Sequence, residues 1–174
     1  MQLKERNISI RLRKYSYRFA EQVFNGKVAL KNELEDILYE ATKDLDILSR
    51  PTFNQILDNA FKAHGWECQP SVFGAEDDAY ARFDFLKDRV GVEVQFGHPS
   101  FVGIDLLKFQ VASYSHLDSI DFGVYITTTQ AFQKHLMSKG LKWNGSLTYE
   151  KVIKYLPHIR SAIQVPIYVI GIDI

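Results

Sequence analysis

Between residues 82 and 97 the chain reads RFDFLKDRVGVEVQFG, with apolar and polar residues alternating on either side of Asp88-Arg89. Side chains alternate faces along a strand, so this pattern predicts a β-hairpin. Phe83 and Phe85 are expected on one face, with Arg82, Asp84 and Leu86 on the other. On the returning strand Val90, Val92, Val94 and Phe96 oppose Gly91, Glu93 and Gln95. A two-residue turn at Asp88-Arg89 would set Asp84 across from Glu93 and Arg82 across from Gln95.

Before the hairpin the spacing is helical. Tyr15, Phe19, Val23 and Phe24 predict a helix over 13–25, stopped by Asn25-Gly26. Asn32 can cap a second helix striped by Leu34, Ile37, Leu38, Ala41, Leu45 and Leu48. Ser49 and Pro51 suit the start of a third, buried through Phe53, Ile56, Leu57, Ala60 and Phe61 and ended by Gly65. A strand is expected over 66–73, followed by a loop whose acidic run, 74–78, reads as a solvated turn.

After the hairpin, 97–100 forms a tight connection and 101–116 a helix with Phe101, Ile104, Leu107, Phe109 and Val111 in the core. The apolar run 120–127 suits a buried central strand. A short helix over 130–138, a loop over 139–146, a helix from the Thr148 cap to Ile163 and a last strand over 165–172 complete the chain. Helices, then a hairpin, then alternating strands and helices predict an α/β fold: a mixed sheet flanked by helices, with an N-terminal helical segment. The expected organisation is one domain over 1–174, mainly helical over 1–64.

Composition agrees with a globular chain: 46% hydrophobic and 24% charged residues. No apolar run approaches membrane-spanning length and the first residues lack a signal core, which favours a cytoplasmic protein. The single Cys68 excludes an internal disulfide. His64, His98, His116, His135 and His158 lack ligand spacing, which argues against zinc. There is no phosphate-binding glycine motif and no G-x-S-x-G elbow. The net charge of zero conceals segregation: residues 1–31 hold eight Lys or Arg against two Glu, and 130–164 hold six bases against one acid. Locally basic surfaces are what a DNA-binding protein needs.

Two carboxylates directly opposed on one sheet face repel each other. A divalent cation bound by hard oxygen ligands would offset that cost. A solvated outer face, with Arg82 bridging diagonally to Glu93, would also do so.

The string Asp84-Phe85, Lys87, then Val92-Glu93-Val94-Gln95-Phe96 resembles the active-site hairpin of the BglII and BstYI group of type II restriction endonucleases, within the PD-(D/E)XK nuclease superfamily. The likeness continues through GHPSFVGIDLLKF, SIDFGVYI and VPIYVIGI, covering the last 110 residues or so, whereas the first 50 match poorly. The resemblance implies a restriction-endonuclease-like fold, magnesium (Mg2+) held by Asp84, Glu93 and the Val94 carbonyl, and Gln95 where the superfamily usually has lysine. It further implies a homodimer that cuts double-stranded DNA at a short palindrome with a GATC core. The dimer interface is expected on 101–116 and 130–138. Base contacts are expected from the loops 97–100 and 142–148, through His98, Ser100, Lys142, Asn144 and Ser146. A nuclease-fold DNA-binding or repair protein without sequence-specific cleavage is the alternative.

Overall fold

A computed structural model describes residues 9–72, 81–115 and 117–174. Within it one six-stranded mixed sheet organises the chain. In chain order the strands are β1 (Arg11–Tyr17), β2 (Glu67–Cys68), β3 (Phe85–Lys87), β4 (Val90–Val94), β5 (Phe122–Thr128) and β6 (Ile167–Asp173). In space they run β1-β6-β5-β4-β3-β2, with β4, β5 and β6 parallel and the outer pairings antiparallel.

Helices cover both faces. On one side lie α1 (Ala20–Asn25), α2 (Val28–Ala41), α3 (Arg50–Ala63) and α5 (Gln130–Ser138), packed on Val92, Val124 and Ile170. On the other lie α4 (Val102–Tyr114) and α6 (Tyr149–Tyr155), packed on Tyr125 and Val169. A strand covered on both faces must be apolar throughout. β5, FGVYITT, is accordingly buried at every position.

The N-terminal helical expectation is corrected. Residues 11–17 form an edge strand antiparallel to β6, with Leu12 beside Ile172 and Tyr17 beside Ile167. Tyr15 and Tyr17 are spaced for one face of a strand, while Tyr15 and Phe19 are spaced for a helix, and pairing with β6 decides between them. Arg18 and Phe19, at φ 51° and 61°, break the chain before α1. Helix α2 starts at Val28 rather than Asn32 and stops at Ala41; Leu45–Ile47 is a separate 3-10 turn. Ser49 caps α3 by accepting from Thr52 N–H at 3.3 Å. The strand expected over 66–73 shrinks to β2 and one bridge between Ser71 and Arg82. Phe73, the acidic run 74–78 and His116 lie outside the described residues. Helix α6 ends at Tyr155 and a 3-10 turn follows, because Pro157 cannot donate to a continuing helix.

Close packing on the central strand depends on Gly123, where an added Cβ would come 2.6 Å from the ring of Phe109. Gly123→Ala must therefore shift α4 or the ring. Urea denaturation should show a loss of about 1–3 kcal/mol.

Candidate active site

The hairpin turn forms at the expected place. Asp88 and Arg89 both have positive φ, 48° and 63°, and Phe85 pairs with Val92, Leu86 with Gly91 and Lys87 with Val90. The regular ladder then stops. The N–H of Asp84 donates to the Val92 carbonyl at 3.1 Å, so two residues, Asp84 and Phe85, oppose one. This is a β-bulge, and it changes which face each side chain takes. Phe83 stacks on Phe109 of α4 (centroids 5.4 Å apart), while Phe85 stacks on Phe61 of α3 (4.1 Å). The expectation that the two rings share a face is thus corrected. The register continued through 84 and 82 is corrected with it: Arg82 bridges to Ser71, and the Gln95 N–H goes to the Ile126 carbonyl.

The bulge lets the Asp84 carboxylate reach sideways to β4. Its Oδ2 accepts from the N–H of Val94 at 2.7 Å, and its Oδ1 accepts from Gln69 Nε2 at 3.1 Å. Glu93, only 3% exposed, faces α4. There the buried Lys108 ammonium lies 2.6 Å from Glu93 Oε1. Lys108 also contacts Asp105 Oδ1 at 3.2 Å and donates to the Arg82 carbonyl at 2.9 Å. Asp105 Oδ2 in turn accepts from Gln95 Nε2 at 3.0 Å and from the Tyr125 hydroxyl at 2.9 Å. The side-chain Oε1 of Gln95 accepts from Gly97 N–H at 2.8 Å.

Among the described residues, the carboxylates of Asp84, Glu93 and Asp105 therefore gather around the Lys108 ammonium. Burial, and then the charge of Asp84, push Glu93 up to about 9 against the pull of Lys108. Asp84 is also raised by burial, against the hydrogen bond from Val94. Burial disfavours the Lys108 ammonium, yet Glu93 and Asp105 outweigh it and raise its pKa. Over Asp84 opens a cleft of about 310 Å³, walled by Asn54 and Asp58 of α3 and floored by Gln69, Asp84 and Val94.

Among the described residues no three His, Cys, Asp or Glu side chains cluster as a ready-made metal site. What is present suits a hard divalent ion completed by water. It comprises the Asp84 and Glu93 carboxylates and the Val94 carbonyl, which strand geometry turns to the same side as its N–H. The charge imbalance favours the same kind of ion.

The loops 97–100 and 142–148 meet beside this site, since Leu147 N–H donates to the Gly97 carbonyl at 2.8 Å. Trp143 anchors the second loop, its indole N–H on the Leu48 carbonyl at 2.8 Å and its ring against Phe53 and Phe96. His98, Ser100, Lys142 and Asn144 are all exposed at the surface. Ser146 is buried, and its hydroxyl accepts from Arg50 of α3 at 3.4 Å. Sequence reasoning missed Asp105, Lys108, Tyr125, Gln69 and the α3 wall. For the first two a signal existed: a charged pair three residues apart inside the apolar helix GIDLLKF.

The model of the family described as Restriction endonuclease BglII/BglIII matches residues 12–172, so the likeness reaches almost to the N-terminus rather than stopping near residue 50. The fold superposes on the crystal structure of restriction endonuclease BglII complexed with a DNA 16-mer, with a TM-score of 0.70 and 20% identity over 92% of this chain and 77% of that one. Free BglII superposes with a TM-score of 0.61 and 18% identity over 92% and 78% of the two chains. No curated protein matches in sequence.

The electrostatics carry a pH dependence. From about 4.5 to about 9 the folded protein keeps a proton on Glu93 that the unfolded chain has released. Binding more protons when folded makes stability fall as pH rises through that window. Metal-free protein should therefore melt at progressively lower temperature from pH 5 to pH 9. Glu93→Gln should flatten the trend, and an unchanged slope in that variant would exclude Glu93 as its source.

Proposed function

Because the chain belongs to the BglII/BglIII restriction endonuclease family, we propose that it works in the cytoplasm as a single nuclease domain. It cleaves double-stranded DNA with magnesium at a palindrome containing GATC. The observation that carries the reading is the bulge at Asp84, which brings a second carboxylate beside β4 on the floor of a cleft, next to the buried Glu93.

Asp84, Glu93 and the Val94 carbonyl would hold the magnesium ion. When bound, the ion would polarise the scissile phosphate and lower the pKa of a water molecule. Glu93 must lose its proton to serve as a ligand, and Lys108 favours that ionisation. Gln95 orients rather than abstracts: with Asp105 and Gly97 as partners, its amide keeps one N–H and one carbonyl lone pair for a water or a phosphate oxygen.

His98, Ser100, Lys142 and Asn144 supply accessible donors and acceptors for the DNA grooves. Ser146 contributes through Arg50, whose guanidinium it steadies. A palindrome calls for a two-fold axis. The exposed stripe of Phe101, Ile104, Leu107 and Tyr114 along α4 and its leading turn, with Met137 on α5, supports a homodimer built on those helices.

Three outcomes test the reading. Asp84→Ala and Glu93→Ala should each abolish magnesium-dependent cutting of plasmid DNA while DNA affinity persists; wild-type cutting by either would refute the metal site, and a smear instead of bands would mean nonspecific cleavage. Leu107→Glu should convert the dimer to a monomer by light scattering and remove double-strand cutting. Sequenced ends of digested genomic DNA should share GATC, with Asn144→Ala relaxing that preference by about 1–3 kcal/mol of discrimination, whereas Lys142→Ala weakens binding and reduces its salt dependence.

A further inference from the structure

Gln95 is held at both ends of its amide. Nε2 donates to Asp105 Oδ2 at 3.0 Å, and Oε1 accepts from the backbone N–H of Gly97 at 2.8 Å. A carboxylate can only accept and an N–H can only donate, so these partners fix which end of the amide is which. Neither holder has much freedom. Asp105 is 4% exposed, and it is fixed on the same oxygen by the Tyr125 hydroxyl at 2.9 Å and on the other by Lys108 at 3.2 Å. On the Gly97 side, an added Cβ would lie 2.8 Å from Gln95 Oε1.

We infer that Asp105 is a positioning residue for DNA cleavage, acting through Gln95. A glutamine has three rotatable bonds and no charge to direct it. Left alone at a half-exposed strand end, it would sample several rotamers and hold a water poorly. Asp105 removes that freedom, and Tyr125 and Lys108 hold Asp105 against the central strand and its own helix. The inference rests on the reading that Gln95 takes part in the reaction. The competing role for Asp105 is structural: it would only balance the buried charge of Lys108.

The test is single-turnover cleavage in a double-mutant cycle of Asp105→Asn and Gln95→Ala, with DNA affinity measured in calcium and melting temperature recorded for each variant. An asparagine has one acceptor end where the aspartate has two, so it must forsake either Lys108 or the Gln95–Tyr125 side. Asp105→Asn should slow cleavage about ten- to a hundred-fold, with DNA affinity unchanged. It should cost nothing further once Gln95 is alanine. Equal losses in both backgrounds would overturn the inference and leave the active-site reading intact. Wild-type cleavage by Gln95→Ala would overturn both together. Should Asp105→Asn fail to fold, Tyr125→Phe, which removes only one hydroxyl from Asp105, goes through the same cycle: a loss that vanishes in the Gln95→Ala background supports the inference, and an equal loss in both backgrounds overturns it.

Discussion

The structure turns on keeping several carboxylates close together with too little positive charge to balance them. Asp84 comes from a bulge, Glu93 from β4 and Asp105 from α4; among the described residues the ammonium they share, Lys108, lies 2.6 Å from Glu93 and 3.2 Å from Asp105. Buried charge is costly unless paired, and here the pairing is incomplete. Glu93 responds by holding its proton, pushed up to about 9. A site with this imbalance favours a proton or a cation, and the folded scaffold supplies the stability that tolerates it.

That scaffold is a sheet covered on both faces, and each face has a different duty. Toward α1, α2, α3 and α5 the sheet packs on an apolar layer in which Phe53 of α3, Phe132 of α5, Phe96 and Trp143 interlock. Toward α4 the same strands present Glu93, Gln95 and Tyr125. Strand β4 belongs to both, with Val92 on one side and Glu93 on the other. The site is therefore as rigid as the core behind it, and the loops at its rim are tied to it through Leu147 and Trp143.

Helix α4 shows why its orientation could not be chosen from periodicity. Phe101, Ile104 and Leu107 form one apolar stripe, and Val102, Leu106, Phe109 and Ala112 form another. Either could face a core. The structure buries the second and leaves Phe101, Ile104 and Leu107 at 41%, 36% and 46% exposure. Only that rotation carries Asp105 and Lys108 to the sheet. The expectation of a core position is thus corrected for Phe101, Ile104 and Leu107 and holds for Phe109, and the observed rotation sets Lys108 against Glu93 of β4.

Strong local signals made much of the chain legible in its sequence. Alternation in 90–96, the turn at Asp88-Arg89, the Ser49-Pro51 helix start and the apolar run of β5 each depend on neighbours along the chain, and each appears where expected. The motif around Asp84 and Glu93 carried the family. Only tertiary structure decided the rest. β1 became a strand because β6 offered it a partner. Phe83 and Phe85 parted because one extra residue was accommodated at Asp84. Lys108 and Asp105 reached Glu93 and Gln95 across the space between helix and sheet. Local pattern fixes what a segment can be; contacts between residues distant in sequence choose among those possibilities, because burial and charge balance exist only once the pieces have met.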